Sequence, residues 1–158
     1  MRIGIGYDVH PLVRERKLIL GGVQIEHDFG LAGHSDADVL CHAIGDALLG
    51  AANLGDLGQH FPDSSQRFAN ISSLLLLKDI AALLAQNNFS IINLDAMIVL
   101  EAPKVMRFAE TMKENIAQAL RIAPKQISIK ATTSEKLGFI GRKEGAAAQA
   151  VALIDEIK

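Results

Sequence analysis

Ile91-Ile92-Asn93-Leu94-Asp95-Ala96-Met97-Ile98-Val99-Leu100-Glu101 is the clearest strand in the chain, and its C-terminal neighbours decide the fold class. Its β-branched and apolar residues suit a pleated, half-buried surface. Pro103 closes it, because proline cannot continue a strand's hydrogen-bond ladder. A helix is expected from about Val105 to Arg121. A further strand covers Ile127 to Ala131, with Ile127, Ile129 and Ala131 on one face. Strand, helix and strand in succession indicate a mixed chain.

Working outward, the alanine-rich run Gly145 to Ile157 reads as a last helix. Towards the N-terminus, Ser72 to about Gln86 reads as a helix that stops at Asn87-Asn88. The stretch Gly55 to Ser65, rich in Gly, Asp and Pro, reads as a loop. Ser35 is expected to cap a helix through Val39, Ala43, Ala47 and Leu48 that ends near Gly50, with Asp38 completing a capping box. Lys17 to Leu20 and Val23 to Ile25 flank Gly21-Gly22, a hairpin pattern. Ile3 and Ile5 open a short strand that runs towards His10. The class is α+β, a single domain with a small mixed sheet and helices packed on one face. Three or four main strands leave the other sheet face uncovered, which favours burial against further subunits.

Composition narrows the function. The 158 residues suit one domain with a sizeable core, and 49% are hydrophobic. Sixteen basic and eighteen acidic residues give a formal charge of -2, so there is no basic field for nucleic acid or for anionic membranes. The longest apolar runs, such as Leu74 to Leu77, are too short to span a bilayer. Cys41 is the single cysteine, so no internal disulfide forms. No signal-peptide pattern opens the chain, and a cytoplasmic location is expected.

Asp8 and His10 are two apart on a strand, so both side chains reach one face and one ion. His42 is the candidate third ligand. Asp38 and Asp46 stand four residues to either side of it on the helix, and one of them would hold its free ring N–H. A catalytic site keeps a fourth position for substrate or water. Cys41, a competing soft ligand, is one residue from His42 and points about 100° away on a helix. The residues alone leave a plainer reading open: Asp8 as a strand-end turn residue, His10 and His42 as ordinary polar groups.

Two segments suit phosphate. His34-Ser35-Asp36 stands at the expected helix start, where unpaired N–H groups and the helix dipole favour an anion. His42 would lie two turns inside, about 10 Å from Ser35. Thr132-Thr133-Ser134-Glu135-Lys136 offers three hydroxyls, a carboxylate for a hard cation and a lysine, with Arg142 nearby. Plain helix caps would explain both segments. Gly4-x-Gly6 lacks the rest of a dinucleotide fingerprint. The loop residues Gly55-Asp56-Leu57-Gly58 and Phe61-Pro62-Asp63 carry carboxylates suited to polyol hydroxyls.

These segments together resemble the 2-C-methyl-D-erythritol 2,4-cyclodiphosphate synthase family of the non-mevalonate isoprenoid pathway. The matching stretches are Gly6 to His10, His34 to Val39, His42, Asp46 to Ala51, Gly55 to Gly58, Phe61 to Asp63, Ala102 to Lys104 and Lys130 to Phe139. The resemblance spans nearly the whole chain and implies one synthase domain over 1–158. At that length no fused cytidylyltransferase domain, as found in some relatives, is expected. It also implies a four-stranded sheet with helices on one side, a homotrimer packed through its sheets, and active sites between subunits.

The implied substrate is a cytidine diphosphate ester of methylerythritol 2-phosphate. Its 2-phosphate attacks the β-phosphorus, CMP leaves, and a cyclic diphosphate forms. By the resemblance Asp8, His10 and His42 hold zinc or a similar cation, and Glu135 holds magnesium or manganese with the diphosphate. His34 and Thr133 orient and stabilise the reacting groups. Ser35, Asp56, Gly58 and Asp63 fall on the methylerythritol phosphate side, and Phe61, Ser64, Ser65 and Ser134 are further substrate-binding positions. Leu100, Ala102, Pro103, Lys104, Met106, Ala131 and Thr132 fall on the cytidine side, and Phe139 and Arg142 near the substrate and the trimer axis. Ser134 stands where many members carry threonine, and Ser64-Ser65 and Lys143 also depart from the common pattern. Another metal-dependent phosphotransferase or phosphohydrolase is the alternative activity. A non-catalytic module stabilised by metal is the alternative class.

Overall fold

The structure, a computed structural model, describes residues 1–157. Its main sheet has five strands in the order β4-β1-β7-β5-β6. These are β1 (Arg2–Arg14), β4 (Phe29–Leu31), β5 (Phe89–Val99), β6 (Ile127–Thr132) and β7 (Gly145–Glu156). Among the described residues only the β5–β6 pair is parallel. The four strands expected from the resemblance are joined by the three-residue β4 at the edge. A separate hairpin of β2 (Leu18–Leu20) and β3 (Val23–Ile25) turns on Gly21-Gly22, both at positive φ as expected. The helices are α1 (Val39–Ala52), α2 (Leu57–His60), α3 (Ser73–Gln86), α4 (Ala109–Leu120) and α5 (Gly138–Gly141). Among the described residues no helix is long and apolar enough to cross a membrane.

The segment 145–157 is not a helix; residues Gly145–Glu156 form β7, the central strand, antiparallel to both β1 and β5. Alanine's helix propensity is a weak local preference that tertiary packing overrides. Ala146, Ala148, Ala150, Ala152 and Ile154 are buried on one face, while Gln149 and Val151 point to the other, a period of two. The small side chains leave room for α1 directly above the sheet. Gly4 and Gly6 of β1 leave the same room. A Cβ on Gly6 would run into the Ala43 carbonyl oxygen, and one on Gly4 into that of Ala47.

The start of α1 also differs from the sequence reading. Asp38, not Ser35, is the N-cap, and its Oδ1 accepts the Cys41 N–H at 3.1 Å. Ala37 sits at φ 56°, which no α-helix permits, so helical backbone begins only after it. Asp38 Oδ2 accepts the Gly22 N–H at 2.7 Å and ties the hairpin to the helix. At the other end α1 passes Gly50 and closes at Asn53, in the left-handed region. The loop 55–65 contains the short α2, and a single 3-10 turn precedes α4.

All the long helices cover one sheet face. On the open face Ile3 and Ile5 are 71% and 76% exposed, with Tyr7, Val9 and Val151 beside them. An apolar sheet face of this kind in a single chain calls for a partner surface.

Candidate metal centre

Gly4, Gly6, Asp8 and His10 alternate onto the helix-covered face of β1. Gly4 lies beneath Ala47 and Ala51, and Gly6 beneath Ala43 and Ala47. The next residue along that row, Asp8, therefore meets the first turn of α1, where His42 stands. Asp8 Oδ2 is 3.0 Å from His10 Nε2 and 3.0 Å from His42 Nδ1, and the two nitrogens are 3.2 Å apart. A tetrahedral ion with ligand bonds of about 2.0–2.1 Å needs donors roughly 3.3 Å apart. The triangle is close to that size, and the three donor atoms could hold one metal ion.

The protonation pattern agrees. His10 Nδ1–H donates to the Ala32 carbonyl at 2.9 Å. A carbonyl only accepts, so in the neutral ring Nε2 carries a lone pair that faces Asp8 and His42. A carboxylate oxygen and imidazole lone pairs aimed at one point suit a bound cation. Among the described residues the group has three protein ligands, whereas a structural zinc site closes with four.

Burial opposes the charged form of Asp8, yet hydrogen bonds and charge from His10 and His42 outweigh it and hold the carboxyl far below its ordinary 3.8. Burial also opposes protonation of His10, but the neighbouring Asp8 carboxylate raises the imidazole above 6.5. In the metal-free protein the Asp8 contribution to stability is complete above pH 3.8 and is lost as pH falls through the lower folded value. The His10 contribution is complete below pH 6.5 and is lost as pH rises through the higher folded value. Scanning calorimetry of metal-free protein should therefore find the margin over an Asp8→Asn variant widest between pH 3.8 and 6.5. Saturating zinc should remove the alkaline limit, since the cation takes the place of the proton. A margin that stays level across pH would contradict the pairing.

The triangle opens on a cavity of about 390 Å³, lined also by His34, Ser35, Gly58, Phe61 and Asp63. His34 Nε2–H donates to the Ser65 carbonyl at 2.9 Å. Ser35 Oγ lies 3.1 Å from His42 Nε2, not two helical turns away, because the helix starts at Asp38. The N-terminus of α1 is not an open anion site: the buried Asp38 occupies it. Asp46 does not hold the His42 ring N–H. Its carboxylate accepts the Leu57 N–H at 2.8 Å, and Asp38 is engaged by Cys41 and Gly22. The Ser73 hydroxyl, 2.9 Å from His42 Nε2, takes that place beside Ser35. Asp56 caps α2 through Gln59, and Ser64 is exposed.

Thr133 and Glu135 are elsewhere. Val9 pairs with Ala147, Ala147 with Val99, and Val99 with Thr132. The β1 ligands and the end of β6 thus stand at one level of the sheet, three strand spacings or about 14 Å apart. At that far side Glu101 Oε1 accepts from the N–H groups of Ser134 and Lys136 and from the Ser134 hydroxyl. It fixes a turn in which Glu135 and Lys136 have positive φ and Thr133 Oγ1 donates to Glu135. Leu100 N–H donates to the Thr132 carbonyl at the start of this turn, and Ala102, Pro103, Lys104 and Met106 follow it in the chain. Exposed Arg142 pairs with Glu144, and Phe139 packs beside Gly145.

Sequence reasoning gave no role to Ser73 or Glu101. Ser73 reads only as a residue of a helix start, and nothing in the local sequence links it to position 42. Glu101 reads as the last residue of a strand.

The model of the YgbB family matches residues 1–155. The chain is 57% identical over 156 residues to the 2-C-methyl-D-erythritol 2,4-cyclodiphosphate synthase of Prosthecochloris aestuarii, covering 99% of each chain. It is 56% identical over 155 residues to the enzyme of the same name from Clostridium botulinum strain Kyoto, covering 98% of this chain and 100% of that one. Among solved structures, the bifunctional IspDF of Campylobacter jejuni aligns with a TM-score of 0.95 at 43% identity, over 99% of this chain and 42% of that one. A CDP complex of Plasmodium falciparum IspF aligns with a TM-score of 0.86 at 34% identity, over 99% and 97%.

Proposed function

The chain belongs to the YgbB family, and from that premise and the Asp8–His10–His42 triangle we propose that it is a 2-C-methyl-D-erythritol 2,4-cyclodiphosphate synthase. It is a lyase that closes 4-diphosphocytidyl-2-C-methyl-D-erythritol 2-phosphate into the cyclic diphosphate and releases CMP. The observation that carries this reading is the convergence of three donor atoms within 3.0–3.2 Å beside a polar cavity.

Phosphoryl transfer asks little covalent chemistry of a protein; it asks for positioning and charge neutralisation. Asp8, His10 and His42 hold zinc or a similar divalent cation, which when bound supplies Lewis-acid polarisation of a phosphate oxygen. His34, anchored on the Ser65 carbonyl, orients the reacting phosphate. Ser35 Oγ accepts the Ala37 N–H, which leaves its hydroxyl proton to donate to substrate. Gly58, Phe61 and Asp63 line the wall for the methylerythritol unit, and Asp56, Ser64 and Ser65 complete its contacts. The attacking phosphate is already anionic at neutral pH, so no strong base is needed.

Thr133 and Glu135 act from the other end of the sheet. Glu135 holds magnesium or manganese with the diphosphate. Residues 100–106 and 131–134 hold cytidine. Some 14 Å of sheet separates the two halves within one chain, so the site is completed by a neighbouring copy, in a homotrimer joined through the open apolar faces. Ile5→Asp places a charge at the centre of that face and should convert the trimer to monomer in sedimentation velocity. A trimer that survives would place the interface elsewhere. The enzyme works in the cytoplasm on a soluble substrate.

The deciding experiment incubates the purified protein with the diphosphocytidyl substrate, zinc and magnesium. CMP and cyclic diphosphate in equal amounts are expected. CMP with an open-chain phosphate product would make it a hydrolase, and no CMP would overturn the proposal.

A further inference from the structure

We propose that Ser73 and Asp36 are positioning residues that fix the tautomer and aim of the metal ligand His42. The inference rests on the metal role of Asp8, His10 and His42 proposed above and adds how one of those ligands is prepared for it.

The chain of contacts is short and directional. Ser73 Oγ lies 2.9 Å from His42 Nε2. The Ser73 hydroxyl donates to Asp36 Oδ1 in a short hydrogen bond. Asp36 Oδ2 accepts the Ser73 N–H at 3.0 Å, and Oδ1 also accepts the Asp38 N–H at 3.3 Å. Asp36 is in turn held by its own N–H, which donates to the Ile71 carbonyl at 3.0 Å. Ser73 is fully buried, so water does not reach its hydroxyl as a substitute partner.

Each step forces the next. An ionised aspartate only accepts hydrogen bonds, so the Ser73 proton points at Asp36. The Ser73 oxygen then has only lone pairs to offer His42. Nε2 must therefore carry the imidazole proton, and Nδ1 must carry the lone pair. Nδ1 is the nitrogen that faces Asp8 and His10. A histidine ligand whose far nitrogen donates into a hydroxyl backed by a carboxylate is both oriented and made more basic. Ser35 Oγ, 3.1 Å from the same nitrogen, has no carboxylate behind it and imposes no such direction. Because Ser73 opens α3, the relay also ties that helix to the metal ligand.

The test is zinc titration of metal-stripped protein in competition with a chromophoric chelator, with thermal midpoints recorded in the metal-free state. Ser73→Ala and Asp36→Asn should each weaken zinc about 10- to 100-fold. The asparagine amide oxygen still accepts the Ser73 N–H, so the start of α3 survives in that variant. His42→Ala, in the same titration, should lose the site outright. Wild-type zinc affinity in either folded variant would overturn the relay. So would a lowered metal-free midpoint with unchanged affinity, which would leave Ser73 a helix-start contact. A wild-type protein that takes up no zinc would instead overturn the metal reading beneath it. Each variant is judged alone, so one that fails to fold leaves the decision to the other.

Discussion

His42→Ala should lose the divalent cation and, with it, about three orders of magnitude in CMP release, while the chain stays folded. Lewis-acid stabilisation of a phosphoryl transfer is worth several kcal/mol, and each 1.36 kcal/mol is tenfold in rate. The deletion removes one corner of the Asp8–His10–His42 triangle and leaves two ligands, too few for a tight site. Backbone structure should persist, because His42 lies at the edge of the core and the Asp38 cap that starts α1 is untouched. Turnover, zinc content and circular dichroism measured on one preparation check all three points. Full turnover by a variant that carries no zinc would remove the chemical basis of the proposed function.

The second large effect is on the fold. Gly6→Ala should cost about 3 kcal/mol or more, the upper end of overpacking penalties. In a chain of this length that corresponds to a drop of about 10 °C in thermal midpoint. The added methyl would collide with the Ala43 carbonyl and stand 2.8 Å from the Ala47 N. Both are backbone atoms of α1, so no side chain can rotate away and the whole helix must lift. Lifting α1 draws His42 from Asp8, so zinc affinity should fall in the same variant. Gly50 is the control, because a methyl there meets nothing within 4 Å. Gly50→Ala lies in the exposed part of α1 and should raise stability by about 0.5–1 kcal/mol. Thermal unfolding of the two variants side by side should give opposite signs.

Much of the site was legible because its geometry is local. Asp8 and His10 share a face through strand alternation alone, and that needs no knowledge of the rest of the chain. His42 was legible as a candidate from its helix position between Asp38 and Asp46, but nothing local says which helix covers β1, and the family resemblance is what strengthened that choice. The Gly21-Gly22 hairpin was legible because turn chemistry is local too. β7 was not: alanine prefers helix in isolation, and only the close approach of α1 makes a row of alanines the right filling for a strand. The signal that could have found it is the outward placement of Gln149 and Val151 between the alanines. The start of α1 was misread because Ser35 and Asp38 are both good caps. The choice was made by the backbone at Ala37, which composition does not reveal. The Asp36–Ser73–His42 relay joins residues 31 and 37 positions apart, and no spacing rule reaches across such loops.

The place of β7 in the sheet also bears on how the protein is made. β1 and β5 never pair with each other; each finds its long antiparallel partner in β7, which is synthesised after both. A nascent polypeptide on the ribosome therefore carries two long strands with open edges until residues 145–156 have left the exit tunnel. Closure of the sheet waits for contacts of large sequence separation, the slow kind. During that interval the unpaired edges are open to pairing with other chains.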